Sequence, residues 1–172
     1  MSLNAATMIY NCQIERAGLQ ALIDLKGESG DVCARLQRLG LTDPLPLQAA
    51  SAGDLRVCRV APWHWVLRAP LDHEDALLQR LMEPVPPPET LIVPVSDAYA
   101  WFTVHGPQAR ELLSVGCPLD LDLPAFAASG ATFTEVFSLK ALLWRDVDGF
   151  ELAVERSYAP LVTDWFVRIQ GG

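Results

Sequence analysis

The spacing of apolar positions predicts a strand and then a helix near the start of the chain. In residues 19–25 every second side chain is apolar, as is typical of a strand with one buried face; these side chains are Leu19, Ala21, Ile23 and Leu25. Residues 31–39 carry apolar side chains at helical spacing. Asp31 and Arg38 lie at the ends of this helix where its dipole favours their charges, and Gly40 suits the position after it.

A hairpin and a second helix are expected next. Residues 55–60 and 63–69 predict two strands joined by a tight turn. The second strand is expected to place three large residues on one face: Trp63, Trp65 and Leu67. A helix over residues 73–82 should be capped by Asp72, and the prolines in residues 84–88 should end it.

The pattern then predicts a second series of strands and helices. The expected strands cover residues 91–95, 99–105, 131–137, 140–145 and a segment after the Asp148-Gly149 turn. Gly106-Pro107 should open a helix that ends at Gly116. Ser157 should cap a final helix. The residues expected to face the core from that helix are Tyr158, Leu161, Val162, Trp165 and Ile169.

The order of these elements predicts an α+β fold built from two ferredoxin-like split β-α-β halves. We expect an N-terminal extension over residues 1–18, a first half over 19–88 and a second half over 89–172, forming one compact unit. The Pro-rich stretch 84–88 is the expected boundary.

Composition narrows the function classes. Apolar residues make up 51% of the chain, which fits either a subunit interface or one large core, with neither favoured. The net charge of −8 argues against a nucleic-acid binder, which needs clustered Lys and Arg. No apolar run approaches the ~20 residues that span a bilayer, and the N-terminus does not resemble a signal peptide. We therefore expect a cytoplasmic protein that binds no membrane.

The sequence has no recognisable catalytic or metal-binding motif. Its three histidines are scattered, and its four cysteines are expected to be reduced and mostly buried. Asp120 and Asp122 could bind a cation or the ring nitrogens of a pterin, but a loop that exposes both to solvent is favoured. The five tryptophans are expected mainly in the core, although some could anchor a protein interface.

Several segments together resemble one protein family. The segments are residues 61–67, 95–98, 102–113, 116–121 and 150–159. Cys117-Pro118-Leu119-Asp120, placed after a helix opened by Gly-Pro, is the most specific of them. The set is similar to the gamma subunit of heterotetrameric sarcosine oxidase. The residues that carry the resemblance, interpreted as structural, are Trp65, Asp97, Gly106, Pro107, Gly116, Cys117, Pro118, Leu119, Asp120, Arg156 and Ser157.

The resemblance implies a fold like the folate-binding domain of the aminomethyltransferases of glycine cleavage. It also implies a complex with alpha, beta and delta subunits that demethylates sarcosine oxidatively and passes the one-carbon unit to tetrahydrofolate. FAD, FMN, NAD and tetrahydrofolate would be bound by the other subunits. No cofactor, catalytic residue or metal is expected on this chain, and a weak folate contact is left open.

The chain departs from the family pattern at several positions. Ala61 replaces a usual Gly, Val115 replaces a frequent Lys, and residues 133–136 fit poorly where a Gln-Thr pair is usual. A stand-alone folate-binding protein of the aminomethyltransferase type is the alternative hypothesis. A folate-related maturation factor ranks last, because Pro118 replaces the Tyr of the Lys-Gly-Cys-Tyr motif of those proteins.

Overall fold

The computed structural model describes residues 9–171 and contains two antiparallel sheets. The first sheet has the strand order β3-β4-β5-β2-β6. Its strands are β2 (Gln20–Lys26), β3 (Ala49–Ala52), β4 (Leu55–Ala61), β5 (His64–Pro70) and β6 (Leu91–Pro94). Helices α1 (Ser29–Arg38) and α2 (Glu74–Met82) connect them. The order β4-β5-β2-β6 is that of a split β-α-β unit, and β3 adds an edge strand.

The second sheet repeats this arrangement with the order β1-β7-β10-β9-β8. Its strands are β1 (Gln13–Arg16), β7 (Tyr99–His105), β8 (Ala131–Val136), β9 (Leu139–Asp146) and β10 (Gly149–Glu155). Helices α3 (Ala109–Ser114) and α4 (Ala159–Ile169) belong to this half. The α+β class and the two ferredoxin-like units predicted from the sequence are confirmed.

Three apolar clusters order the elements into four layers. The first cluster joins α1 and α2 to the outer face of the first sheet, with Leu36 and Leu81 fully buried. The second contains strand residues only, and packs Val66 of the first sheet with Trp144 of the second. The third places α3 and α4 against the outer face of the second sheet, around Phe166. The layers therefore run helix, sheet, sheet, helix.

The two sheets are joined at the starts of the edge strands β3 and β8 by one isolated antiparallel bridge between Gln48 and Gly130. The amide of Ala49 donates to the carbonyl of Ser129 at 2.6 Å, and the amide of Ala131 donates to the carbonyl of Leu47 at 3.1 Å. These bonds satisfy backbone groups that an open edge would leave unpaired.

Two strands pair across the predicted boundaries. β1 lies within the range expected to be an N-terminal extension and pairs with β7, with Ile14 opposite Val104. β6 follows the Pro-rich stretch but pairs with β2 of the first sheet, with Leu25 opposite Ile92. The division of the chain at residue 88 stays a prediction.

The prediction for Trp63 was wrong. It was expected in a strand beside Trp65 and Leu67, but β5 begins only at His64, and Trp63 lies in the turn with 69% of its surface exposed. Trp65 and Leu67 are buried as expected. The strand propensity of Trp could not reveal that the chain reverses one residue later than the pattern suggested.

The predicted helix caps were wrong in two places. Asp72 and Ser157 make no capping hydrogen bond, because a 3₁₀ turn precedes α2 and α4 and occupies the place of the cap. The helix expected to open at Gly106-Pro107 is α3, which begins at Ala109 after a turn over residues 107–108. At α1 the cap is Glu28, whose carboxylate accepts from the amide of Gly30 at 2.9 Å.

The core face of α4 differs from its prediction. Val162 is buried as expected, but Tyr158 and Leu161 are exposed by 42% and 40%. Phe166 is buried instead and packs against Phe102, with ring centroids 6.0 Å apart. Trp165 and Ile169 are partly buried against the same cluster as expected, so the difference lies mainly at the start of the helix, where a 3₁₀ turn precedes it.

Candidate functional site

Three charged side chains join the two sheets at one end of the sandwich. Arg56 on β4 and Arg68 on β5 are directly opposed in the first sheet, and Glu151 lies on β10 of the second. The Arg68 guanidinium binds both carboxylate oxygens of Glu151, with Nη2 2.7 Å from Oε1. Arg56 Nη1 lies 3.4 Å from Glu151 Oε2, and its Nη2 donates to the carbonyl of Arg145 at 2.9 Å.

Two buried indole rings lie beneath these guanidinium groups. The guanidinium carbon of Arg56 is 4.9 Å from the ring centroid of Trp144, and that of Arg68 is 4.7 Å from Trp101. A cation over an aromatic face is attracted by the ring quadrupole, more strongly where water is excluded. The tryptophans therefore support the arginines as well as filling the core.

Burial shapes the electrostatics of this cluster. It lowers the pKa of Arg56, the nearby charge of Arg68 lowers it further, and Glu151 opposes both effects. Arginine remains protonated in spite of such shifts. The carboxylate of Glu151 is held by both guanidinium groups, so its oxygens already have partners within the chain.

A cavity of about 310 Å³ opens beside the cluster. Its lining consists of Gln20, Gly53, Asp54, Arg56, Arg68, Pro70, Asp146 and Glu151. Among these residues there is no aromatic ring on which a pterin or flavin could stack, and the central charges already bind one another. The lining therefore does not fit a folate or a flavin, and we derive no chemical step through either.

A second charged group lies on the same face of the first sheet, toward its other end. Asp24 Oδ1 is 3.1 Å from His64 Nε2, and its Oδ2 is 3.3 Å from Lys26 Nζ. Burial raises the pKa of Asp24, but the contacts with His64 and Lys26 outweigh it, so the pKa lies below its ordinary value. The pKa of nearby Tyr99 is raised by burial and by the charges of Asp24 and Glu155.

The residues of the family resemblance are distributed through the fold rather than gathered into one site. Trp65 is fully buried on β5, and its indole N–H donates to Asp43 at 2.7 Å. Arg59 stacks on the same ring at 4.7 Å and lies 3.3 Å from Asp43. The three side chains fasten the loop after α1 to the hairpin.

Gly106 and Pro107 lie where β7 turns toward α3. Gly106 has a φ of 119°, and a Cβ there would lie 3.0 Å from the carbonyl oxygen of Asn11. Gln108 receives a hydrogen bond from the amide of Asn11 at 2.6 Å. The turn therefore packs against the segment that leads into β1, where only a glycine fits without strain.

The segment after α3 combines close packing with an exposed turn. A Cβ on Gly116 would overlap the ring of Phe137. Cys117 is buried, with its sulfur 3.8 Å from the hydroxyl of Thr134, and Leu119 is partly buried. Asp120 is exposed and accepts from the backbone amide two residues later at 2.9 Å, which is the pattern of an Asx turn.

The alternative of a cation site at Asp120 and Asp122 has no support in the contacts of these residues. Asp122 forms a salt bridge with Arg110, and Asp120 accepts from the backbone amide of Asp122. Pro118 and both aspartates are exposed. Within residues 9–171 there is no group of three or more His, Cys, Asp or Glu side chains able to hold a metal.

Three further family positions lie on the surface. Asp97, Arg156 and Ser157 are exposed in 3₁₀ turns, and none of them forms a salt bridge among the described residues. The polar side chain that is buried at the turn of Asp97 belongs to its neighbour, Ser96. The hydroxyl of Ser96 is buried, accepts from the amide of Leu22 at 2.8 Å, and also binds Glu74.

Sequence reasoning missed the arginines that organise the fold. Arg35 is 2% exposed, and Arg145 donates to carbonyls in the loop before β8, including that of Phe126 at 3.0 Å. Arg56, Arg68 and Glu151 were also missed. An arginine within an otherwise apolar strand could have indicated Arg56, Arg68 and Arg145, since charged residues are rarely buried unless paired.

Comparison with solved structures shows which proteins share this fold. The chain superposes with a TM-score of 0.83 on a chain of heterotetrameric sarcosine oxidase from Corynebacterium sp. U-96 in complex with pyrrole 2-carboxylate, at 20% identity, covering 92% of this chain and 83% of that one. It superposes with a TM-score of 0.65 on glycine cleavage system aminomethyltransferase T from Bartonella henselae, at 15% identity, covering 91% of this chain and 45% of that one. The fold is thus shared with these proteins.

A protein-family model that matches most of the sequence identifies the family. Residues 26–170 match the model of the sarcosine oxidase, gamma subunit family, so the chain belongs to that family. No sequence among curated proteins matches it. Among residues 9–171, no helix is both long enough and apolar enough to cross a membrane.

Proposed function

We propose that this chain is the gamma subunit of a heterotetrameric sarcosine oxidase and that it supports assembly with alpha, beta and delta subunits without catalysing a step itself. The family match over residues 26–170 is the observation that carries the proposal. The structural likeness to a chain of a heterotetrameric sarcosine oxidase agrees with it.

The chemistry of the described residues supports a role in assembly. The best formed polar cluster pairs Arg56 and Arg68 with Glu151 and links the two sheets. Both oxygens of this carboxylate are bound by guanidinium groups of the same chain. Buried family positions such as Trp65 and Cys117 pack or hydrogen-bond within the chain.

The cofactors of the complex would then belong to other subunits. We place FAD, FMN, NAD and tetrahydrofolate there, together with the oxidation of sarcosine and the transfer of its one-carbon unit, and we expect the complex in the cytoplasm. The cavity beside Arg56 has no aromatic ring in its lining, so it does not support a folate contact there.

Co-expression with candidate alpha, beta and delta subunits tests the proposal, with purification through a tag on this chain alone. A yellow complex that oxidises sarcosine should be recovered, while the chain expressed alone should be colourless and inactive. Recovery of the tagged chain without the other subunits, although they are soluble and expressed, would overturn the proposal.

The stand-alone folate-binding alternative is not favoured. It relies on the fold shared with aminomethyltransferase T, of which this chain covers 45%. Calorimetry with tetrahydrofolate should show no heat of binding at millimolar ligand. Saturable binding, or protection of the isolated chain against thermal unfolding, would restore this alternative.

A further inference from the structure

One end of the first sheet extends beyond the cover that the second sheet provides. His64, Lys26 and Leu91 are direct neighbours on β5, β2 and β6. Alternate residues share a face, so Lys26 lies on the face where Leu22 is buried between the sheets. Yet Leu91 is 54% exposed, and 48% of the Lys26 side chain is exposed. The described residues therefore leave about half of each of these side chains uncovered.

Trp63 lies at the same end and is held firmly in place. Its carbonyl accepts from the amide of Gly27 at 3.2 Å, which ties the hairpin turn to the end of β2. The Arg59 guanidinium donates to the carbonyl of Pro62 and stacks on the buried ring of Trp65. An exposed indole on a fixed backbone loses little conformational freedom on binding.

Two further apolar side chains lie along β6 at this end of the sheet. Leu91 follows Thr90, which packs against Gly27, and Val93, two residues along the same strand, is 44% exposed. We call Trp63, Leu91 and Val93 the Trp63 patch. Contiguous exposed apolar side chains are typical of interaction surfaces.

The rim of the Trp63 patch is acidic. Glu28 follows Gly27, whose amide donates to the Trp63 carbonyl, and Glu89 lies two residues before Leu91; both are exposed. Neither forms a salt bridge within residues 9–171, and the charge of Lys26 is balanced by Asp24 at 3.3 Å. A partner that covers the patch should therefore bring basic side chains.

We propose that the Trp63 patch is the surface through which this chain docks on another subunit of its complex, and that the docking partner presents an apolar pocket for the indole, surrounded by Lys or Arg. The inference depends on the proposed function. A second copy of this chain fits poorly, because a two-fold contact would set acidic rim against acidic rim. Trp in such a setting is a typical interface hot spot.

The test measures the Kd between the purified chain and the remaining subunits co-expressed without it. Trp63→Ala should weaken binding by about 30-fold or more, as truncation of a hot-spot residue does. Leu91→Ala should weaken it less. Glu89→Lys should weaken it and reduce its dependence on salt, since it removes an attractive charge. Val147→Ala is the matched control, because Val147 is 94% exposed in the turn between β9 and β10 and lies outside the patch.

Thermal unfolding of each isolated variant establishes that it is folded. Equal Kd values for wild type, Trp63→Ala, Leu91→Ala and Glu89→Lys would overturn the assignment of the patch and leave the proposed function standing. Failure of the wild-type chain to bind the other subunits would overturn both. Self-association that Trp63→Ala abolishes would show that a second copy, rather than another subunit, occupies the patch.

Discussion

Glu151 and Arg68 are 83 residues apart in sequence, yet they form a two-pronged ion pair that links the two sheets. Their side chains are only 14% and 12% exposed, so the pair is largely removed from water. Such a pair resists separation chiefly because loss of one partner leaves an uncompensated charge. The pair therefore adds a specific polar contact to the apolar cluster that packs the two sheets against each other.

Glu151→Gln should therefore destabilise the fold. The substitution leaves two partly buried guanidinium groups without their counter-charge, and we expect the free energy of unfolding to fall by roughly 2–4 kcal/mol. Urea denaturation measures the change. Asp164→Asn is the control, since its pair with Arg168 is 52% and 72% exposed and should contribute little. Equal losses in the two variants would contradict the role of Glu151.

Arg35→Met should loosen α2. The Arg35 guanidinium donates to the carbonyls of Leu81 and Pro84 at the end of that helix and pairs with Asp31. Its removal leaves buried acceptors unsatisfied, and we expect a loss of about 2–3 kcal/mol. Hydrogen exchange should show faster opening of α2 than of β9. Uniform loss of protection in both elements would instead indicate a global effect.

Gly116→Ala should disturb the packing of α4. The added Cβ would overlap the ring of Phe137, whose centroid lies 5.1 Å from that of Trp165. We expect a loss of about 1–3 kcal/mol and a changed tryptophan fluorescence, because overpacking displaces neighbouring rings. Gly18→Ala is the matched control, since a Cβ there meets nothing within 4 Å. Equal stability of the two variants would refute the steric argument.

Asp24 should make stability depend on acid pH. Its pKa in the folded chain lies below the ordinary value of 3.8, because His64 and Lys26 outweigh the effect of burial. A depressed pKa gives stability that is present above about pH 4 and is lost as the pH falls through the folded pKa. Unfolding curves should show Asp24→Asn less stable than wild type at pH 6, with the difference shrinking below pH 4. A constant difference across this range would exclude the linkage.

The sequence by itself determined most local elements. Alternation predicted β7 at residues 99–105, and Asp148-Gly149 predicted the turn into β10, because these signals depend on neighbouring residues alone. The family resemblance, spread over many short segments, identified the fold and was confirmed by the match over residues 26–170.

The tertiary structure decided what links distant parts of the chain. Nothing local to Gln13–Arg16 shows that this strand completes the second sheet beside β7. Arg68 and Glu151 look like ordinary polar strand positions until the sheets stack and bury them together. Such contacts depend on which faces meet, and that is set by packing of the whole chain rather than by the spacing of nearby residues.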